Sequence, residues 1–216
     1  MSRRLLIAIV VGGISLFGLV RSLQHARRPA YESHITGDAA ARAGIELSRI
    51  GKHEKAIKVL EQASGKPMLE VPLADLFAAL GESYPAAGPD AAGKSRKPMG
   101  LVYSGLALKL KGETDKAEAA FKSALELDPG YSKGLESLGA LYLQTGRQEA
   151  AIPLLEHAID ADGSVAITHS NLALAYAAVG RFDSAQLQID AAARLGYDKV
   201  EKVRQAIERA RAGAGN

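Results

Sequence analysis

Residues 101–134, LVYSGLALKLKGETDKAEAAFKSALELDPGYSKG, and residues 135–168, LESLGALYLQTGRQEAAIPLLEHAIDADGSVAIT, decide the fold when one is laid over the other. Gly105 falls on Gly139, Leu108 on Tyr142 and Gly112 on Gly146. Further along, Ala117 falls on Ala151, Phe121 on Leu155 and Ala124 on Ala158. A third copy continues the columns with Ala173, Tyr176, Gly180, Ala185, Ile189 and Ala192. Small residues recur where two helices must approach closely, and large apolar ones recur where the gap must be filled. Self-similarity at a fixed period marks stacked units that cannot bury their apolar faces alone.

Each copy reads as two helices around a glycine turn. Leu101, Leu108 and Leu110 lie in one apolar helix, which Gly112 ends as a glycine just past a helix C-terminus does. Thr114 or Asp115 is expected to cap the second helix. There Ala117, Phe121, Ala124 and Leu125 recur at helical spacing, and Asp128-Pro129 stops the run. Pro153 sits early in the equivalent helix of the next copy, where a missing N–H is better tolerated.

This pattern resembles the tetratricopeptide repeat, over three consecutive units at 98–131, 132–165 and 166–197. A more distant copy at 37–66 repeats the internal spacings with Gly44, Leu47, Gly51, Ala56, Leu60 and Ala63. The family's aromatic position in the first helix is Ala40, Leu101, Leu135 and His169 here, a departure from its consensus. The resemblance implies an all-α, right-handed superhelical solenoid of antiparallel helix pairs, to which an N-terminal transmembrane helix is added by the reading below. The distance from Gly44 to Gly105 is not a multiple of the period. Residues 67–97 are therefore expected to hold a degenerate helix over 72–83 and a mobile loop over 84–97. Residues 198–212 read as a capping helix, with Val200, Val203, Ile207 and Ala210 on one narrow seam.

The amino end differs in kind. Leu5 to Val20 contains only one polar residue, Ser15, and is flanked by Arg3, Arg4, Arg21, Arg27 and Arg28. Residues 1–28 read as a membrane anchor spanning 5–20, followed by a linker at 29–36. The span is short, since sixteen residues at about 1.5 Å each reach roughly 24 Å against a bilayer core of about 30 Å. Flanking arginines help by snorkelling. A cleaved signal peptide and a buried core helix are the rival readings. The body is expected outside the cytoplasm, because a short charged N-terminus is easily kept inside.

Composition narrows the function. The chain has 27 Lys plus Arg against 24 Asp plus Glu. Five of those bases lie in residues 1–28, which hold no acid, so the body has no charge excess to seek nucleic acid. With no cysteine, a disulfide framework, a Cys-ligated zinc site and a thiol nucleophile are excluded. The five histidines, His25, His34, His53, His157 and His169, show no metal spacing, and His169 is expected as a packed or half-exposed core residue. Glu113, Asp115 and Glu118 read as a solvated face at turns and first helical turns. Gly88-Pro-Asp-Ala-Ala-Gly93-Lys94-Ser95 fits the letters of a phosphate-binding loop. Its context is wrong: a helical run precedes it, Pro98 follows, and no parallel sheet is in view. A flexible loop is expected, with no cofactor, no metal and no enzyme activity; a nucleotide hydrolase is the remote rival.

What remains is a surface. The resemblance implies a groove lined by the first helix of each pair. Its residues are Met99, Val102, Leu106, Lys109 and Leu110; then Lys133, Glu136, Ala140, Leu143 and Gln144; then Ile167, Ser170, Asn171 and Leu174. Some of these are equally expected to pack within the body. Certain members hold acidic C-termini with a clamp of lysine, asparagine and arginine. Only Lys133 and Asn171 match that pattern, so such a ligand is not expected. The resulting expectation is a membrane-anchored scaffold or adaptor for a protein or peptide partner, in layout like an envelope assembly factor. Its alternative is a self-associating homo-oligomer.

Overall fold

The computed structural model describes residues 37–64 and 71–214. Among these there are ten helices and no strand. They are α1 (Gly37–Arg49), α2 (His53–Ser64), α3 (Leu73–Ala86), α4 (Lys97–Leu110) and α5 (Thr114–Leu127). The rest are α6 (Ser132–Gln144), α7 (Gln148–Ala161), α8 (Ala166–Ala178), α9 (Phe182–Arg194) and α10 (Val200–Ala214). Chain neighbours pack on one another throughout, and α4, α6 and α8 also stand side by side. The architecture is a helical solenoid.

The columns read from the sequence are the core of that solenoid. Ala117, Phe121, Ala124, Ala151, Leu155, Ala158, Ala185, Ile189 and Ala192 are all 0% exposed. So are Ala56, Leu60 and Ala63 in the first pair. The small residue of each first helix faces the large residue of the second. A Cβ placed on Gly139 would lie 2.7 Å from Leu155 Cγ, and one on Gly44 would lie 2.5 Å from Leu60 Cγ. On Gly105 it would collide with the Phe121 ring. The absence of a side chain at these points is what lets the bulkier partner enter.

The turns close in the same way each time. Gly112, Gly146 and Gly180 have φ of 79°, 75° and 78°, a left-handed conformation that costs other residues roughly 1–2 kcal/mol. The amide after each glycine donates back five residues: Arg147 N to Tyr142 O at 2.8 Å, and Arg181 N to Tyr176 O at 2.8 Å. These bonds satisfy carbonyls the helix end would otherwise leave open.

Several expectations are corrected. Neither Thr114 nor Asp115 caps α5; the cap position is Glu113, with no side-chain bond to the helix. Asp115 sits instead in the first turn, where its charge suits the helix dipole. The helix expected over 72–83 continues through Pro85 to Ala86, which shortens the connection to 87–96. Pro85 lies in the last turn of α3, where it has no N–H to offer the Gly81 carbonyl, and the helix ends one residue later. The single-pass membrane anchor, and the extracytoplasmic placement built on it, are also corrected. Among the described residues no helix is long and apolar enough to cross a membrane, and residues 5–20 lie outside them.

Phe121→Ala is expected to lower unfolding stability by about 3–5 kcal/mol, whereas Leu187→Ala, on the exposed face of α9, should change it by less than about 0.5 kcal/mol. Urea denaturation followed by circular dichroism checks both.

Candidate interaction surface

The wall formed by α4, α6 and α8 carries the residues singled out from the sequence, with two exceptions. Val102 and Ser170 are buried, Val102 within the cluster of Ala117, Phe121 and Ala124. Each points into the stack rather than along the wall, so neither is available to a ligand. Leu110 and Ile167 are 51% and 45% exposed, and Lys133 and Gln144 are exposed as well. Met99, Leu106, Lys109, Glu136, Ala140, Leu143, Asn171 and Leu174 are half-buried. Leu106 leans on the core around Phe121, while Leu143 and Leu174 lean on the core around Leu155 and Ile189. The apolar part of the wall is therefore continuous with the interior beneath it.

Its charges sit in a partly dry setting. Burial pushes the Glu136 carboxyl above its ordinary range, and the fields of Lys133 and Lys109 oppose the shift. Burial likewise pushes the Lys109 ammonium down, against the field of Glu136. Lys133 Nζ lies 5.8 Å from the centroid of the Tyr103 ring, a cation–π distance. Tyr103 in turn stacks on Tyr84 with centroids 5.4 Å apart. A lysine that the sequence offers only as a groove charge is thus also held by an aromatic pair.

The loop that spells a phosphate-binding motif is filled by its own aspartate. Asp90 Oδ1 accepts the amides of Ala92 at 2.9 Å and Lys94 at 2.8 Å. Lys94 Nζ pairs with Asp128 at 2.9 Å. Donors that a phosphate would need are engaged, and α4 starts only at Lys97. His169 is buried, with Nδ1 2.7 Å from Gln188 Oε1 and Nε2 3.0 Å from Gly163 O. It fastens α8 to α9 and to the preceding loop, in place of the family's aromatic. Among the described residues no cluster of three His, Asp or Glu is placed to hold a metal.

One cluster escaped the sequence reading. Glu118, taken there as solvated, accepts from Arg147 Nη2 at 2.7 Å and from Tyr142 Oη at 3.0 Å. Lys122 Nζ adds a third contact at 2.8 Å. The Arg147 guanidinium also lies 4.0 Å from the Tyr142 ring centroid. This clasp ties α5 to α6 and to the turn after α6. The next unit repeats it in part: Tyr176 donates to Glu156, and Arg181 lies 4.2 Å from the Tyr176 ring. The signal was present, since both Tyr142/Tyr176 and Arg147/Arg181 recur at the period.

Comparison with known proteins agrees with this geometry. Residues 108–164 match the family model of the tetratricopeptide repeat, and the solenoid as a whole is similar to that type. The repeat is a protein-interaction module and not an enzymatic one. A 127-residue stretch is 31% identical to anaphase-promoting complex subunit 7 of Arabidopsis thaliana, covering 50% of this chain and 22% of that protein. The chain thus spans about a fifth of the length of this curated relative. The solved structure MamA MSR-1 C2 is similar in fold, with a TM-score of 0.50 at 22% identity over 82% of this chain and 85% of that one.

The clasp should make stability acid-sensitive. The bonds from Arg147 and Lys122, with that from Tyr142, outweigh desolvation and hold the Glu118 carboxyl at about 2. In the unfolded chain it titrates near 4.3. The stabilisation is therefore full above about pH 4.5 and is lost as pH falls toward 2. Thermal melts of Glu118→Gln should show a smaller loss between those limits than the parent.

Proposed function

We propose that the wall of α4, α6 and α8 holds an apolar segment of a protein partner, making the chain a scaffold or adaptor. The observation that carries this reading is the row of apolar side chains left at the surface, Leu110 and Ile167 above all, on the first helices α4 and α8 that flank α6. Half-buried Leu106, Leu143 and Leu174 extend the row, and Lys109, Lys133 and Glu136 border it. Such a surface suits a helix or extended peptide whose side chains cover the leucines while its polar groups meet the three charges. Membership of a protein-interaction repeat type supports the same reading.

The test uses two wall substitutions that leave the core intact. A partner is identified by cross-linking, purified, and titrated against the full chain. Leu110→Glu and Ile167→Glu should each weaken binding at least about tenfold, equivalent to about 1.4 kcal/mol. Leu187→Glu, on the outer helix α9, should leave the affinity unchanged. Equal affinities for the wall variants and the parent would place the partner elsewhere. Light scattering on the chain alone separates binding of a partner from self-association on the same wall.

A further inference from the structure

The period fails between Gly44 and Gly105, and α3 stands in the gap. Three marks follow the small residue of the first helix in the regular pairs. A leucine or tyrosine lies three residues on, a left-handed glycine seven on, and the facing large residue sixteen on: Gly139 has Tyr142, Gly146 and Leu155. Gly81 of α3 carries the first two, in Tyr84 and in Gly88 with φ of 77°. Tyr84 even donates to Glu61 of the preceding helix, as Tyr142 does to Glu118. The third mark is both displaced and changed, since the facing residue is a small serine. A Cβ on Gly81 would strike Ser104 Oγ, twenty-three residues on, and lie 3.2 Å from Gly100 O. A Cβ on Gly100 would lie 2.6 Å from Pro85 Cδ. From Gly81–Ser104 to Pro85–Gly100 one helix advances as the other retreats, so α3 and α4 form an antiparallel hairpin. The excess of seven residues matches 89–95, the stretch between Gly88 and Arg96.

We infer that α3 is the first helix of a repeat whose second helix is α4, and that α4 serves at once as the first helix of the following pair with α5. One stripe of α4, Gly100 and Ser104, meets α3; another, with Val102 and Gly105, meets the Ala117–Phe121 face of α5. Its sequence, KPMGLVYSGLALKL, is apolar nearly all round, as a helix buried on two sides must be. The motif that resembles a phosphate-binding loop is then an insertion in a repeat turn. Two ion pairs hold it across the joint, Arg96 to Glu54 of α2 at 2.7 Å and Lys94 to Asp128 after α5 at 2.9 Å. Sharing α4 also moves the first-helix layer sideways. The wall of α1 and α3 is a different surface from that of α4, α6 and α8. A partner site on the latter, which rests on the function proposed above, ends at α4.

Deleting residues 89–95 tests the assignment. The deletion leaves Ala87-Gly88-Arg96-Lys97 in the spacing of Lys111-Gly112-Glu113-Thr114, where α5 begins at the last residue. A companion chain replaces 89–95 by seven glycine and serine residues, which removes the Lys94 ion pair but keeps the length. The deletion chain should match the companion in helical circular dichroism, with a melting temperature within about 5 °C. A deletion chain that melts further below the companion, or fails to fold while the companion folds, overturns the assignment. Neither outcome bears on whether the α4, α6 and α8 wall binds a partner.

Discussion

Everything in this fold depends on one steric bargain, a missing or minimal side chain on one helix opposite a bulky one on its partner. Gly139 against Leu155 and Gly105 against Phe121 bring two backbones close enough for alanines at 117, 151 and 185 to be wholly covered. Helices usually pack 8–10 Å apart, according to the side chains at the contact. A glycine at the crossing point sets the near end of that range. The left-handed glycine then returns the chain without spending residues, so the pair is compact and the next pair can stack on it.

Much of this was legible in the residues because stacking imposes a period. Columns of small and large residues exist only if the same contact is made repeatedly, and their burial follows directly. Features tied to a single place were harder to see. The role of α3 was hidden because its turn carries seven additional residues, which destroys the register that identifies every other pair. The cap of α5 is hard to place from sequence because Thr114 and Asp115 have the right chemistry one and two residues late. Val102 was placed on the wall by analogy of position; the chain buries it because the same helix must also cover Phe121. The Glu118 clasp is harder to read, since Glu118 lies 24 and 29 residues from Tyr142 and Arg147 and meets them only when two pairs stack. The short apolar stretch at 5–20 reads as a span on its hydropathy and flanking arginines, although its reach falls below a bilayer core.

The same bargain shapes what the surface offers. First helices spend one face on the glycine contact and another on the neighbouring pair, so only a narrow strip is left open. On α4, α6 and α8 that strip is leucine-rich with three desolvated or aromatic-held charges, and it lacks catalytic or metal-binding groupings among the described residues. Recognition, not chemistry, is what such a strip supports. Stability and recognition are separable here, because Leu110 and Ile167 contribute to the strip while Phe121, Leu155 and Ile189 hold the stack.

A double-mutant cycle on Gly139→Ala and Leu155→Ala, read by urea denaturation, tests the steric bargain most directly. Each single change should destabilise, the first by crowding Leu155 and the second by about 2–5 kcal/mol through the cavity it leaves. Together they should cost at least about 1 kcal/mol less than their sum, because the new methyl enters the space the leucine vacates. Additivity within about 0.5 kcal/mol would mean that the two positions do not constrain one another. That result would contradict the account.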